Sequence, residues 1–324
     1  MNIQQFQLQF PNLSFQENVT LASYTYMKVG GPAKVFVEIE KKDDLFALCS
    51  FCFQKQIPFV ILGGASNTII PDEGIDKLVI RNLTSAIDIQ ETLVMADSGV
   101  ITAVLAKKTV DSGLTGFEYF VGVPGTIGGA IYNNSHFSAN QLIGNYLESV
   151  EVCTSQGVHE TWTIGNLSLG YDQSIFQRQS DVILSATFHL QRDDTEKIQE
   201  RIIEAAKHRT LTQPIGIPSS GCMYRNPKIT NDQITSIKTK VEIPQSALKI
   251  IDGQTQIAAG FLIDRAGLKG TRIGDVEVSQ KHATYMINVG KATTKDIENL
   301  CKIVEQKVVE TFGVTLEREV FFLK

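Results

Sequence analysis

Residues 121–130, Val-Gly-Val-Pro-Gly-Thr-Ile-Gly-Gly-Ala, constrain this chain more than any other ten. Four glycines and a proline interrupt a sequence that is otherwise strongly patterned. Glycine weakens regular helix and strand, so such a cluster marks positive φ angles or a close approach by something bulky. A loop with exposed backbone N–H groups followed by small residues can take a phosphate or pyrophosphate against its main chain. A tight surface turn has the same composition. The polar residues that follow, Asn133, Asn134 and Ser135, turn the reading towards a ligand site.

With 324 residues, 43% of them hydrophobic, the chain is long enough to bury a substantial core in two or three domains. A net charge of −5 and a pI near 5.6 argue against nucleic acid as its main business. The start, Met1-Asn2-Ile3-Gln4-Gln5, has neither the basic residues nor the apolar run of a signal peptide. No apolar segment is long enough to span a bilayer. The expectation is a soluble, cytoplasmic monomer with no membrane or nucleic-acid partner.

The five cysteines, Cys49, Cys52, Cys153, Cys222 and Cys301, are an odd and scattered set, unlike a disulfide framework. Cys49 and Cys52 form a CxxC pair inside an amphipathic helical pattern over Asp43–Lys55. No second CxxC or spaced histidine pair completes a zinc site, so no metal is expected and the pair reads as core packing. Cys153 and Cys301 lie in apolar periodicity and read the same way. Cys222, in the polar run Ser-Gly-Cys, does not.

Taken in order, a turn-rich segment leads into a strand at Lys34–Glu38, the 43–55 helix, and a buried strand at Pro58–Leu62. That strand opens into Gly63-Gly64-Ala65-Ser66-Asn67-Thr68, the kind of loop where α/β proteins hold anions. Neither GxGxxG nor GxxxxGK[ST] occurs, which excludes the usual dinucleotide and P-loop fingerprints. Short strands follow at 78–81, 93–97, 149–153 and 182–190, with a helix at 101–111. Residues 195–210 read as a connecting helix. Beyond it come Ser219–Pro227, a short glycine-stopped helix in 258–270 and a strand at 285–288. Thr293 with Asp296 then makes a capping-box start to a helix carrying Ile297, Leu300, Val304, Val308 and Phe312 on one face. The alternation of Val314–Phe322 predicts a closing strand.

These stretches together resemble the UDP-N-acetylenolpyruvoylglucosamine reductase (UDP-N-acetylmuramate dehydrogenase) family. The likeness runs nearly end to end and keeps the motif order: Leu-Ala-Ser-Tyr-Thr, Val-Gly-Gly-Pro-Ala, Leu-Gly-Gly-Ala-Ser-Asn, Gly-Val-Pro-Gly-Thr-Ile-Gly-Gly-Ala, Ser-Gly-Cys, Asn-Pro, Ala-Gly-Phe-Leu-Ile-Asp and Leu-Glu-Arg-Glu-Val. The resemblance implies an α+β protein with a two-part FAD-binding fold of the vanillyl-alcohol-oxidase (PCMH) type and a C-terminal α+β substrate domain. The expected divisions are 1–80, 81–205 and 206–324, with the last strand free to return to the FAD part. The span of the third region resembles the shorter of the family's two forms.

It further implies that NADPH reduces FAD, and that hydride then passes to the double bond of a UDP-sugar enolpyruvyl ether while a protein acid protonates the neighbouring carbon. FAD is expected against Gly63, Gly64, Ala65, Ser66, Asn67 and Thr68, and against Gly122, Pro124, Gly125, Thr126, Gly128, Gly129 and Asn134. Absent side chains would let the cofactor approach the main chain. Ala65 stands where the family usually has glycine, as does His136. Cys222 occupies the position of a serine proton donor, and a thiol, with an ordinary pKa of about 8.5, gives up a proton more readily than an alcohol. Glu319 matches a glutamate expected to stabilise or protonate the enolate region. Arg209, Tyr224, Arg225 and Asn226 fall at substrate-binding positions, and His282 and Asn288 at positions that orient others.

One departure matters. In Gly170-Tyr171-Asp172-Gln173-Ser174-Ile175-Phe176, Asp172 occupies the slot of an arginine expected to polarise the substrate carboxylate. An anion there disfavours enolate formation by roughly a few kcal/mol in a dry site. A neighbouring cation, Arg178 or Arg225, is the expected compensation, with a local realignment that hides the arginine as a second possibility. The alternative is a divergent or degenerate flavin-binding oxidoreductase, against which the retention of Cys222 and Glu319 speaks.

Overall fold

Ala33, Val35, Val37 and Ile39 alternate along the strand Pro32–Ile39, and all four are buried. That period of two makes the strand a wall of a core. In this computed structural model, which describes residues 3–137, 141–251 and 253–323, the chain divides into two compact units. One comprises Met1–Val19, Pro32–Ala65 and Ile75–His208, and the other Thr20–Gly31, Ser66–Gly74 and Arg209–Lys324.

The first unit contains two large sheets and a two-stranded one that pairs Gln191–Arg192 with Leu114–Thr115. Pro32–Ile39 and Phe59–Leu62 flank Ile75–Asn82, both in parallel, with Val37 opposite Ile80 and Ile61 also opposite Ile80. The helix Lys42–Gln54 is the crossover between them and buries Leu45, Leu48, Cys49 and Cys52. The CxxC pair is therefore core, as its periodicity suggests. Burial raises the Cys49 thiol and pushes Cys52 and Cys153 up to about 12, which keeps them protonated and inert. The second sheet is antiparallel, in the order His159–Thr163, Leu147–Cys153, Val182–His189, Leu93–Asp97, Ile87–Gln90. Its core includes Leu105 from the helix Thr102–Asp111 and Ile127, Ala130 and Ile131 from the helix Ile127–Tyr132. The buried Glu118 is held there by the Thr115 hydroxyl (2.7 Å) and Arg201 Nε (2.7 Å), while Arg201 Nη2 reaches Asp193 (2.7 Å).

The second unit is built on the strands Ser219–Cys222, Tyr285–Asn288, Val276–Val278 and Arg272–Ile273, hydrogen-bonded in that order. The helices Ala259–Arg265 and Thr294–Phe312 supply Leu262, Ile263, Ile297, Leu300, Val304 and Val308 to its core. Thr293 and Asp296 cap the long helix reciprocally, as the sequence predicts, and Gly313 ends it at φ 67°. Asp72 adds a carboxylate at the same helix start, accepting from Thr294 N (2.8 Å) and Lys295 N (3.0 Å).

Two expectations change. The glycine stretch is not all loop: from Ile127 it turns into a six-residue helix with Thr126 as N-cap. Propensity disfavours two glycines in a helix, but packing on Ser98 overrides it. The strand expected over Val314–Phe322 is also broken. Val314 and Leu316 are buried while Thr315 and Glu317 are exposed, as alternation requires. The partner, however, is only a short run. Arg225 N donates to Glu317 O (2.9 Å), Glu319 N to Met223 O (2.9 Å), and Tyr224 and Arg318 form a single bridge. A ladder reappears only at Phe321–Phe322, parallel to Thr68–Ile69. The hairpin Leu248–Ile251 with Gln254–Ile257 was signalled by Asp252-Gly253 and is absent from the sequence-based expectation.

Truncation of the fully buried Leu300 to alanine is expected to cost about 2–5 kcal/mol. The same change at the exposed Val309 should stay within about 0.5 kcal/mol. Urea-unfolding midpoints of the two variants measure the contrast.

Candidate active site

The glycine loops of the first unit meet each other. A Cβ on Gly64 would lie 2.6 Å from Gly125 Cα, and one on Gly63 would lie 2.3 Å from Thr126 Oγ1. A Cβ on Gly128 would lie 2.9 Å from Ser98 Cβ. These three positions lack side chains so that protein can pack on protein, a different reason from the cofactor approach expected above. Gly122, at φ 86° with open space around it, is required by its backbone conformation instead. Ala65 takes the left-handed region at φ 46°, a strain that glycine would relieve. The main-chain N–H groups of Gly64, Ala65 and Gly125 have no protein acceptor among the described residues. Such a set of unpaired main-chain donors fits the pyrophosphate of a dinucleotide.

Asn134 is not disposed as expected. Its side chain donates to Gly170 O (2.7 Å) and accepts from Gly144 N (3.0 Å), and it is buried. Both ends of the amide are spent bracing the segment that leads to Asp172. Asp172 itself is buried at φ 54°, with Oδ1 3.0 Å from His136 Nδ1. The distance is that of an ion pair, but the alignment is not that of a hydrogen bond. The other ring nitrogen of His136 lies 2.9 Å from the Tyr171 hydroxyl. Arg178 is exposed and reaches Gln173 Oε1 at 3.5 Å. His136, another departure from the family pattern, thus faces Asp172.

The second unit assembles a different cluster. Ser219–Cys222 pairs with Tyr285–Asn288 through a register shift that sets Cys222 opposite Tyr285. Gly221 lies within that irregularity at φ 80°, a conformation that re-aims the next side chain. Cys222 is only half-buried, whereas the other four cysteines are buried. The Thr284 hydroxyl donates to Cys222 Sγ (3.3 Å) and lies 2.8 Å from His282 Nδ1. Burial raises the Tyr285 hydroxyl, with Cys222 and Glu319 adding to the rise and Arg209 opposing it. Burial also lowers the Arg209 guanidinium, against the pull of Tyr285 and Cys222. Cys222, Arg209, Glu319 and Tyr285 therefore share one electrostatic neighbourhood. Asn67 and Glu319 meet as well: Asn67 Nδ2 donates to Glu319 O (3.4 Å), and Phe321 N to Asn67 O (3.1 Å).

Of the other expected residues, Tyr224 is a correction. Its ring lies in the core at 2% exposure and its hydroxyl donates to Cys301 O (3.2 Å), so no ligand reaches it. The Asn226 side-chain oxygen accepts from Ala259 N (3.0 Å) and secures the start of a helix. Arg225 is half-buried against Glu317 (2.8 Å). Thr284 and Tyr285 escape a reading of residues one at a time. Their only signal is proximity to His282 in His-Ala-Thr-Tyr.

Residues 33–162 match the model of an FAD binding domain, and residues 213–323 match that of the C-terminal domain of UDP-N-acetylenolpyruvoylglucosamine reductase. The solved UDP-N-acetylenolpyruvylglucosamine reductase from Thermus caldophilus superimposes with a TM-score of 0.76 at 27% identity, over 96% of this chain and 100% of that one. Fold and donor loops define an FAD-dependent oxidoreductase with a vanillyl-alcohol-oxidase-type cofactor domain. Proteins called UDP-N-acetylenolpyruvoylglucosamine reductase from Chlamydia felis and Clostridium novyi are each 33% identical, over 97% and 94% of this chain and 95% and 91% of their own. The chain belongs to the UDP-N-acetylenolpyruvoylglucosamine reductase family. Asp172 and Arg209 fall between the two matched domains.

Gly64→Ala drives a methyl group into the Gly125 backbone and should destabilise the first unit by about 1–3 kcal/mol, the usual cost of overpacking. Gly129→Ala meets only Thr126 Oγ1 at 3.7 Å within a helix, and should be neutral or stabilising by up to about 1 kcal/mol. Thermal unfolding of the pair distinguishes them. A pH effect follows from His282, whose pKa is held below 6.5 by burial and by Lys269. The unfolded chain takes up a proton near 6.5 while the folded one resists. The stabilisation is therefore complete above that pH and is lost as pH falls through the folded value. His282→Gln should flatten this part of a stability–pH curve between pH 8 and 5.

Proposed function

We propose that the chain reduces UDP-N-acetylglucosamine enolpyruvate to UDP-N-acetylmuramate with NADPH, in the synthesis of peptidoglycan precursors. The observation that supports this most is the placement of Cys222, half-buried on an irregular strand end and electrostatically coupled to Arg209 and Tyr285, the latter also to Glu319. Bound FAD supplies the hydride chemistry. Gly64, Ala65 and Gly125 would hold its pyrophosphate through their main-chain donors, with Gly122, Thr126, Gly128 and Gly129 shaping the loop. Ser66, Asn67 and Thr68 continue the first loop, and Asn67 ties it to Glu319.

In the second half of the reaction one carbon of the enolpyruvyl double bond receives hydride, and the adjacent carbon, bearing the carboxylate, receives a proton. Charge builds on the carboxylate side and needs a preorganised positive or donating group. Arg209, kept half-buried and charged, is suited to that task, with Arg225 as a second cation in the same unit. Cys222 Sγ–H supplies the proton and becomes a thiolate. Glu319 stands beside it to orient the enolate region. In the first unit, the Tyr171 hydroxyl and Asp172 both face the His136 ring. The protein works as a cytoplasmic monomer in this reading. Among the described residues no helix is long and apolar enough to cross a membrane.

Purified protein should be yellow, bleach with NADPH and be reoxidised anaerobically by the enolpyruvyl nucleotide. Cys222→Ala should bleach at an unchanged rate, and its reoxidation should slow by about 10²–10⁴-fold, the range of general-acid assistance. Stopped-flow absorbance of the flavin band separates the halves. Reoxidation at the native rate would remove Cys222 from the reaction.

A further inference from the structure

A thiol that protonates substrate once per turnover must be recharged before the next, and the second unit holds a line of groups suited to that. Cys222 Sγ accepts a hydrogen bond from the Thr284 hydroxyl at 3.3 Å, and Thr284 Oγ1 lies 2.8 Å from His282 Nδ1. Thr284 is 4% exposed and His282 is half-buried, so the line runs from the thiol through the interior towards solvent. Strand pairing makes the arrangement. Cys222 is registered opposite Tyr285, the neighbour of Thr284, while Met223 N donates to Thr284 O (2.8 Å).

We propose that Thr284 and His282, acting through Cys222 and not on substrate, return a proton to its thiol after each turnover. This rests on Cys222 being the proton donor. A threonine hydroxyl has one proton to donate. With that proton directed at Sγ, the contact at 2.8 Å requires His282 to donate from Nδ1, which fixes the ring as the Nδ1–H tautomer. Sγ accepts through a lone pair, so this contact does not use its own S–H. When Cys222 gives that proton to carbon, the thiolate becomes a far stronger acceptor than the thiol. The Thr284 proton then moves to Sγ, the His282 Nδ1 proton moves to Thr284 Oγ1, and a solvent proton enters at Nε2. Each group of the line, thiol, hydroxyl and imidazole, loses one proton and gains one. The ring ends neutral as the Nε2–H tautomer and returns to Nδ1–H by exchange with water.

The surroundings keep the ring neutral for this purpose. Lys269 acts on it with burial, and the Tyr285 ring lies at 4.9 Å in an edge-on arrangement. Arg209 and Glu319 belong to the same neighbourhood through Tyr285. A purely structural role for Thr284 would be met by any acceptor. Here its donor is spent on sulfur and its acceptor faces the one half-exposed imidazole of the cluster.

The holoenzyme with 15N-labelled histidine should show His282 as the Nδ1–H tautomer at neutral pH. An Nε2–H resting tautomer would overturn the proposal. Thr284→Val, of nearly equal shape, should bleach with NADPH at the native rate. It should also complete its first anaerobic reoxidation at close to the native rate, because the thiol starts charged. Its steady-state kcat should fall by about 10²-fold, in the range of proton-transfer assistance, with KM for the enolpyruvyl nucleotide within about twofold. Thr284→Ser should restore kcat. Unchanged kcat in Thr284→Val, or a first turnover slowed as much as kcat, would show that the hydroxyl has no part in recharging. The Cys222→Ala half-reactions are read independently. If they match the native protein, Cys222 is not the donor and the fault lies in that premise.

Discussion

The approach of Gly64 to Gly125 is the constraint on which the first unit depends. Two main chains pass at a separation that a single methyl group would close. Around that contact Thr126 presents its hydroxyl to Gly63, Ile127 N donates to Val100 O (2.9 Å), and Gly128 N donates to Ser98 O (2.8 Å). The helix that follows therefore starts where the loop contact puts it, and not where propensity would place one. Because the glycines pack on each other, the loop backbone is held rigid.

In the second unit glycine acts through its backbone conformation instead. At Gly221 the positive φ falls in a strand that has lost its register, and the result is a cysteine turned out of regular pairing towards Arg209 and Thr284. The contrast with the other four cysteines is one of environment. Cys49, Cys52, Cys153 and Cys301 are buried among apolar groups that hold their thiols protonated, whereas Cys222 is half-buried among charged and hydroxyl neighbours. Glycine is thus used in two ways, at Gly64 for the close packing of main chains and at Gly221 for a positive φ.

Much of the site was legible in the chain. The glycine runs at 63–64 and 121–130, the polar setting of Cys222, the core role of the CxxC pair and the cap at Thr293 were all readable, because each depends on residues close in sequence. The misreadings share a cause. Tyr224 and Asn134 lie inside motifs that suggest ligand contact, yet Cys301, Gly144 and Gly170, remote in sequence, consume their polar atoms. Asp172 and His136 each looked like an isolated departure, and only folding shows that they face each other. Thr284 was passed over because a threonine beside a histidine carries no signal until the cysteine arrives from 62 residues away.

What the sequence determined by itself is the set of local decisions. These are where strands and helices begin, which positions must be glycine, which cysteines are core, and what order of motifs places the chain in its family. They are local because φ restriction, capping and periodicity act over a few residues. The tertiary structure alone decided which glycines pack on protein and which stay open, which polar side chains are already satisfied, and which thiol has a hydroxyl and an imidazole in line behind it. Those properties belong to pairs of residues far apart in the chain, and a hydrogen bond or a steric contact exists only at the distance that folding sets.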